Sequence, residues 1–287
     1  MQLSQSTAEI YIPDGVAEED ALARTTHLGI GAHQDDLEFM ALHGILACYQ
    51  QPIRWFGGIT VTDGGGSSRV GGYTDYTDAQ MRAVRRQEQR QAASIGQYGF
   101  MAQLDHPSVV VKTVTEDRVD ADLRALLMAA GPEVVYTHSP ADKHDTHVAV
   151  MGAVLRAIRS LPVKCRPKQV LGCEVWRDLD WVCDDDKVVL DVSGREHLAA
   201  ALNGVFDSQI AGGKRYDLAV AGRRRANATF FQSHATDSMD QVWFALDLTP
   251  LVHDEDAPSV EAFTQALIQR FSDDVSGRLR RFASSHL

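Results

Sequence analysis

The sequence predicts an α/β fold built on a largely parallel sheet. Short apolar runs alternate with longer amphipathic ones from residue 26 to residue 161, the strand–helix rhythm of such a sheet. Glycine, proline and aspartate punctuate the boundaries. With 287 residues, 44% of them hydrophobic, the chain can bury a sizeable core.

The elements follow in order. Residues up to Arg24 form a leader, with a turn at Pro13-Asp14-Gly15 and a short helix in VAEEDALA (16–23). THLGIGAH (26–33) is a buried strand, and 37–49 a helix. IRWFGGITVT (53–62) is a second strand, and GGGSSRVGGYTDYT (64–77) a flexible loop. Residues 78–96 form a helix with acids early, bases later and Gly96 as its stop. SVVVKTV (108–114) reads as a third strand and EVVYTH (133–138) as a fourth, with helices over 118–131 and 144–161. After Pro162 the pattern loosens. Strands are expected over 169–176, 187–192 and within 236–248, and helices over 194–206, 217–225 and 259–283. No repeat or low-complexity linker interrupts the chain, which reads as one domain, 1–287, with a core of about 26–210 and an elaborated C-terminal part.

Charge narrows the partners. Lys plus Arg number 28 against 39 Asp plus Glu, a net charge of −11, which is a poor footprint for nucleic acid or an anionic membrane. No apolar run is long enough to cross a bilayer, and the N-terminal residues lack the basic start and apolar stretch of a secretory signal. Cys48, Cys165, Cys173 and Cys183 form no C-x-x-C pair, so they read as reduced thiols of a cytoplasmic protein. Homo-oligomers are compatible with all of this.

The chemistry concentrates in two segments. In GAHQDDLEF (31–39), His33, Asp35 and Asp36 crowd the end of the first strand. Aspartates there can simply cap the next helix. Yet buried carboxylates are costly unless something pairs with them, and a divalent cation supplies that pairing. In THSPADKHDTHVAV (137–150), His144 and His147 share one face of a helix start, with His138 and Asp142 just before them. Capping by Ser139 or Asp142 with solvated histidines is the competing reading. Two such clusters at the mouth of one sheet can converge on one ion. Imidazole plus carboxylate suits zinc, with iron as competitor. Three protein ligands and an open position suit catalysis. A spare aspartate can then take a proton from the water that the ion acidifies.

His33-Gln34-Asp35-Asp36-Leu37-Glu38, followed by His144-Asp145-Thr146-His147, resembles the PIG-L/LmbE-like family of zinc-dependent N-acetylglucosaminyl deacetylases, whose pattern is A-H-P-D-D-x-E and later H-x-D-H or a relative. The helix with Arg85 and Glu88 is similar to the family's R-x-x-E helix, and Ser208-Gln209 to its Ser-Gln pair, so the likeness spans about 27–210. The resemblance implies a Rossmann-like three-layer sandwich. It implies His33, Asp36 and His147 as metal ligands, Asp35 as general base and later acid, and His144 as oxyanion stabiliser. Arg85, Glu38 and Ser208 would serve the substrate, Glu38 also bracing the first motif. The implied activity removes an acetyl group from an N-acetylated amino-sugar-like small molecule. A non-catalytic carbohydrate-binding protein and a metal hydrolase of a non-sugar amide are the alternatives.

Three departures stand out. Gln34 replaces the usual Pro. Met40, Leu42 and His43 stand where relatives carry glycines, which predicts a narrowed pocket. Thr146 stands where an Asp orients the second-motif histidine, leaving Asp142 or Asp145 to substitute. Elsewhere the 64–69 stretch lacks the Lys of a P-loop and reads as a loop over the pocket. Trp176 and Trp181 read as core packing before sugar stacking, the arginines at 223–225 as a solvated helix face, and His234 and Asp237 as rim candidates without a positional argument.

Overall fold

Strands buried on both faces need apolar residues throughout, and the central ones have them. The computed structural model describes residues 1–113 and 117–283. Its strands are β1 (Glu9–Tyr11), β2 (His27–Gly31), β3 (Phe56–Thr62), β4 (Phe100–His106), β5 (Val134–His138), β6 (Gln169–Cys173), β7 (Val188–Asp191) and β8 (Val242–Asp247). They form one sheet in the order β1-β4-β3-β2-β5-β6-β8-β7. The stretch from β4 to β6 is parallel, while β1 joins β4, and β8 joins both β6 and β7, in antiparallel fashion.

Helices cover both faces, giving the expected three layers. On one side lie α1 (Glu18–Ala23), α6 (Arg118–Ala130), α7 (Asp145–Arg159), α11 (Pro250–His253) and α12 (Val260–Phe282). On the other lie α2 (Asp36–Met40), α3 (Leu42–Cys48), α4 (Asp78–Ile95) and α8 (Glu196–Gly204). Two short helices, α5 (Ser108–Val111) and α9 (Asp207–Ile210), pack on β3 and α4 respectively, and the longer α10 (Tyr216–Phe230) packs on β8. Leu28 and Ile30 of β2 are fully buried toward α6 and α7. Burying each contributes roughly 1.5–3 kcal/mol. Thr77 opens α4 with a reciprocal capping box to Gln80.

Three elements differ from the sequence reading. The third strand is FMAQLDH at β4, which pairs with β3, whereas 108–111 is helical behind Pro107. The β-branched valines there suggested a strand, but the sheet position was already filled by β4; residue 114 lies outside the described residues. The helix over 37–49 is two, α2 and α3, meeting at Ala41. The leader contributes β1, whose pairing depends on a partner about ninety residues away.

Strand order places the functional crevice. From β2 the chain builds outward through β3 and β4, and from β5 it builds the other way through β6. Between β2 and β5 the order reverses, and α/β sheets bind ligands just beyond the strand ends at such a point.

Candidate metal centre and cavity

Both motifs leave the sheet at that reversal. His33 and Asp36 follow β2 in the turn into α2, and His147 lies one turn into α7, after β5 and its loop. Gly31 allows the approach: a Cβ there would meet Asp36 Cβ at 2.9 Å. Asp35 opens α2 with φ 110°, a conformation that aspartate tolerates better than most side chains. Its N–H donates to Gln89 Oε1 at 3.2 Å.

The donor atoms of His33, Asp36 and His147 form a triangle in which a different Asp36 oxygen faces each histidine, within two overlapping trios that could hold an ion, His33–His144–His147 and Asp36–His138–His147. His33 Nδ1 lies 3.2 Å from His147 Nε2 and 3.3 Å from Asp36 Oδ2, and His147 Nε2 lies 3.4 Å from Asp36 Oδ1. Tetrahedral zinc with bonds of about 2.0–2.1 Å spaces its ligands about 3.3–3.4 Å apart. The donor set therefore fits a divalent cation. His138 also approaches Asp36, at 3.4 Å, but its Nε2 accepts the Ala32 N–H at 2.9 Å. That lone pair is occupied, so His138 ties the end of β2 to β5 instead of completing the triangle. Behind His147, Asp142 Oδ2 lies 3.3 Å from Nδ1, and Asp142 also accepts the N–H groups of His144 and Trp176. A carboxylate behind a ligating histidine fixes its tautomer and orientation. Asp142 thus backs His147 and reaches His144 only through its main-chain N–H, while the His144 Nδ1 has no hydrogen-bond partner among the described residues.

Burial and charge push the two adjacent aspartates apart. Burial works against ionised Asp36, but His147 and His138 hold its carboxyl well below the ordinary range. Burial pushes Asp35 well above it, against the opposing pull of Arg85, whose Nη2 lies 3.4 Å away. Burial also lowers His33 and His144, while Asp36 and Asp142 raise His147 despite its burial.

A cavity of about 610 Å³ opens over the triangle. His33, Asp35, Asp36, His144 and Arg85 all line it. His144 stacks on His147 with centroids 4.6 Å apart. Arg85 donates to the Gln34 carbonyl and to Ser67 Oγ, so the glycine-rich loop, through Gly64, Gly66, Ser67 and Ser68, forms one wall as read from the sequence. Gln34 uses its amide where the family has a ring, donating to the Thr62 carbonyl and Gln103 Oε1, each at 3.2 Å.

Two expected substrate contacts are corrected, because neither Glu38 nor Ser208 lines the cavity. Glu38 is fully buried and accepts from Tyr98 Oη at 2.7 Å and Gln89 Nε2 at 2.9 Å, so it braces the motif helix. Ser208 is fully buried and donates through its N–H and hydroxyl to Glu88, fixing α9 to α4. Nor do Met40, Leu42 and His43 narrow the cavity: the first two are core, and His43 bonds Tyr136 Oη at 2.8 Å. Trp181 packs against the core, and His234 and Asp237 lie outside the lining.

The outer wall was missed. Trp176, Tyr216, Lys214 and Arg223 line it. Trp176 stands three residues past the end of β6, the edge where ligands bind; reading 169–176 as one strand hid that position. The arginines at 223–225 are no uniform solvated face. Arg225 pairs with Glu196, but Arg224 is buried, donating to the Glu38 carbonyl at 2.7 Å beside the Trp243 ring.

Fold and site together define an α/β protein with a His/Asp cluster at a sheet reversal that could hold a cation. Residues 28–158 match the family model described as PIG-L, GlcNAc-PI de-N-acetylase. Over that segment the chain resembles the PIG-L/LmbE-like family. No curated protein matches the sequence. Among solved structures, the chain is similar to N,N'-diacetylchitobiose deacetylase from Pyrococcus horikoshii, with 14% identity, TM-score 0.61 and coverage of 87% of this chain and 93% of that one. The A40926 pseudoaglycone deacetylase Dbv21 gives 16%, 0.54, 78% and 97%. The 4-carboxy-2-hydroxymuconate hydratase GalB from Pseudomonas putida KT2440 gives 18%, 0.56, 78% and 95%. At these identities the likeness is one of fold.

Proposed function

We propose that the chain is a metal-dependent N-deacetylase of an N-acetylated, amino-sugar-like small molecule, releasing acetate and a free amine. The observation that carries the reading is the triangle of His33, Asp36 and His147 donors with the Asp35 carboxylate, paired to Arg85, beside it in one cavity. The family match and the deacetylases among the structural neighbours support it. A divalent cation held by the three ligands, zinc by their chemistry with iron as competitor, would acidify water and polarise the acetamide carbonyl. Asp35 takes the proton from the attacking water. It returns that proton to the departing nitrogen as the C–N bond breaks. His144 donates a ring N–H to the carbonyl oxygen as charge gathers there. Arg85 holds the Asp35 carboxylate and the motif turn.

Asp35→Asn tests the base. Asn tolerates positive φ, whereas Ala would add backbone strain to the loss of the carboxylate. The variant is expected to keep its metal content and lose about 10²- to 10⁴-fold in kcat for acetate release. Full turnover on the same substrate would overturn the assignment. Acetate is also the readout that separates amide cleavage from a hydratase chemistry on this fold.

A further inference from the structure

We propose that the outer half of the cavity binds an anionic group, a carboxylate or a phosphate, carried by the substrate beyond its acetamido ring. This rests on the deacetylase reading and specifies its substrate class. The cavity sorts its charges. Its lining carboxylates are Asp35, Asp36 and Asp63, all following β2 or β3, and Arg85 and Arg82 already face Asp35 and Asp63. Lys214, Arg215 and Arg223 line the cavity just before and within α10 with no carboxylate of that segment in the lining, whereas Lys112 follows α5, which packs on β3, the strand leading to Asp63. In a chain of net charge −11, such a one-sided group of cations is unlike the surface as a whole.

Of the three around the start of α10, only the Lys214 side chain is left without a hydrogen-bonded or ion-paired partner among the described residues. Arg215 forks onto Asp217, and Arg223 donates to the Val175 carbonyl over the Trp243 ring. Among the described residues, neither Lys112 nor Lys214 forms an ion pair. Lys214 Nζ stands 4.1 Å from the Trp176 ring centroid. That ring is 6.2 Å from His144 and 6.0 Å from Tyr216. The catalytic end thus continues into an aromatic wall with an ammonium at its far side. A sugar ring lies against the indole while its acidic substituent reaches Lys214. An exposed ammonium on the lining steers an incoming anion and holds it.

The experiment compares metal-loaded wild type and Lys214→Glu on N-acetylglucosamine, N-acetylglucosamine 1-phosphate and N-acetylmuramic acid. Wild type is expected to prefer at least one acidic compound over the neutral one by tenfold or more in kcat/KM, mostly through KM. The phosphate and carboxylate arms show which anion is read. Lys214→Glu is expected to cut that acidic-to-neutral ratio at least tenfold, and added salt to lower it in wild type. Equal kcat/KM for all three, or a ratio unmoved by Lys214→Glu, overturns the proposal. If none of the compounds releases acetate, the deacetylase reading fails on its own. Calorimetric titration of glucose 6-phosphate against glucose, into wild type and Lys214→Glu, then decides the anion site separately. Binding of the phosphate that the variant loses supports the site, and equal or absent binding overturns it.

Discussion

Asp142→Asn isolates the support behind the proposed cation site without touching a proposed ligand. Asp142 is buried and accepts three hydrogen bonds: from the N–H of His144 at 2.9 Å, from the N–H of Trp176 at 3.1 Å, and from His147 Nδ1 at 3.3 Å. Asn keeps the shape but has one acceptor oxygen. If that oxygen stays on His144, the amide NH₂ confronts both other donors; flipped, it confronts the His144 N–H. Either way His147 is less firmly aimed. Lost outer support of this kind typically weakens metal affinity about 10- to 100-fold, or roughly 1.4–2.7 kcal/mol. The assay is competition for zinc against a chromogenic chelator, with urea unfolding of the metal-free proteins alongside. The reasoning is refuted by wild-type zinc affinity in the variant. It is refuted equally by a metal-free stability loss large enough to account for the whole change.

Gly31→Ala is expected to keep the fold but lower zinc affinity, because the new Cβ would press on Asp36 Cβ; the same competition assay checks it. Stripping the cation is expected to lower Tm, and restoring it at a hundredfold excess over Kd to return about 2.7 kcal/mol, read by thermal melts with and without chelator. Glu174 is fully buried, and burial raises its carboxyl from 4.5 to about 7 against hydrogen bonds from Phe244, Asn227 and Leu179. A raised folded value gives stability that is complete below about pH 4.5 and lost as pH rises through about 7. Wild type is therefore expected to lose roughly 3 kcal/mol between those limits relative to Glu174→Gln, whose side chain does not titrate. Urea midpoints at pH 5 and pH 8 measure the difference, and parallel pH profiles would count against it.

The proposed ligands were legible because local chain order carries them. Asp36 sits three residues after His33, and His147 opens a helix that a strand feeds, so strand ends alone bring them near one another. The long-range parts were not legible. The valines at 109–111 carry a strand preference that a proline and an occupied sheet position override. Burial of Arg224 follows from packing against Trp243 and the α2 carbonyls, which no local pattern announces. Glu38 and Ser208 matched motif positions correctly, yet what they touch depends on Tyr98, Gln89 and Glu88, partners supplied by α4 and its flank. Trp176 was masked by a strand boundary set three residues too late.

The Arg224 guanidinium also sets how far the chain can be shortened. Both motifs lie within residues 28–158, but the donor that satisfies the Glu38 and Phe39 carbonyls at the end of α2 arrives only with α10. A fragment stopping before Tyr216 would leave those buried acceptors bare, at a cost of about 1–3 kcal/mol beside the motif helix itself. Transplanting the motif segment alone into another scaffold would therefore need a replacement for this one guanidinium.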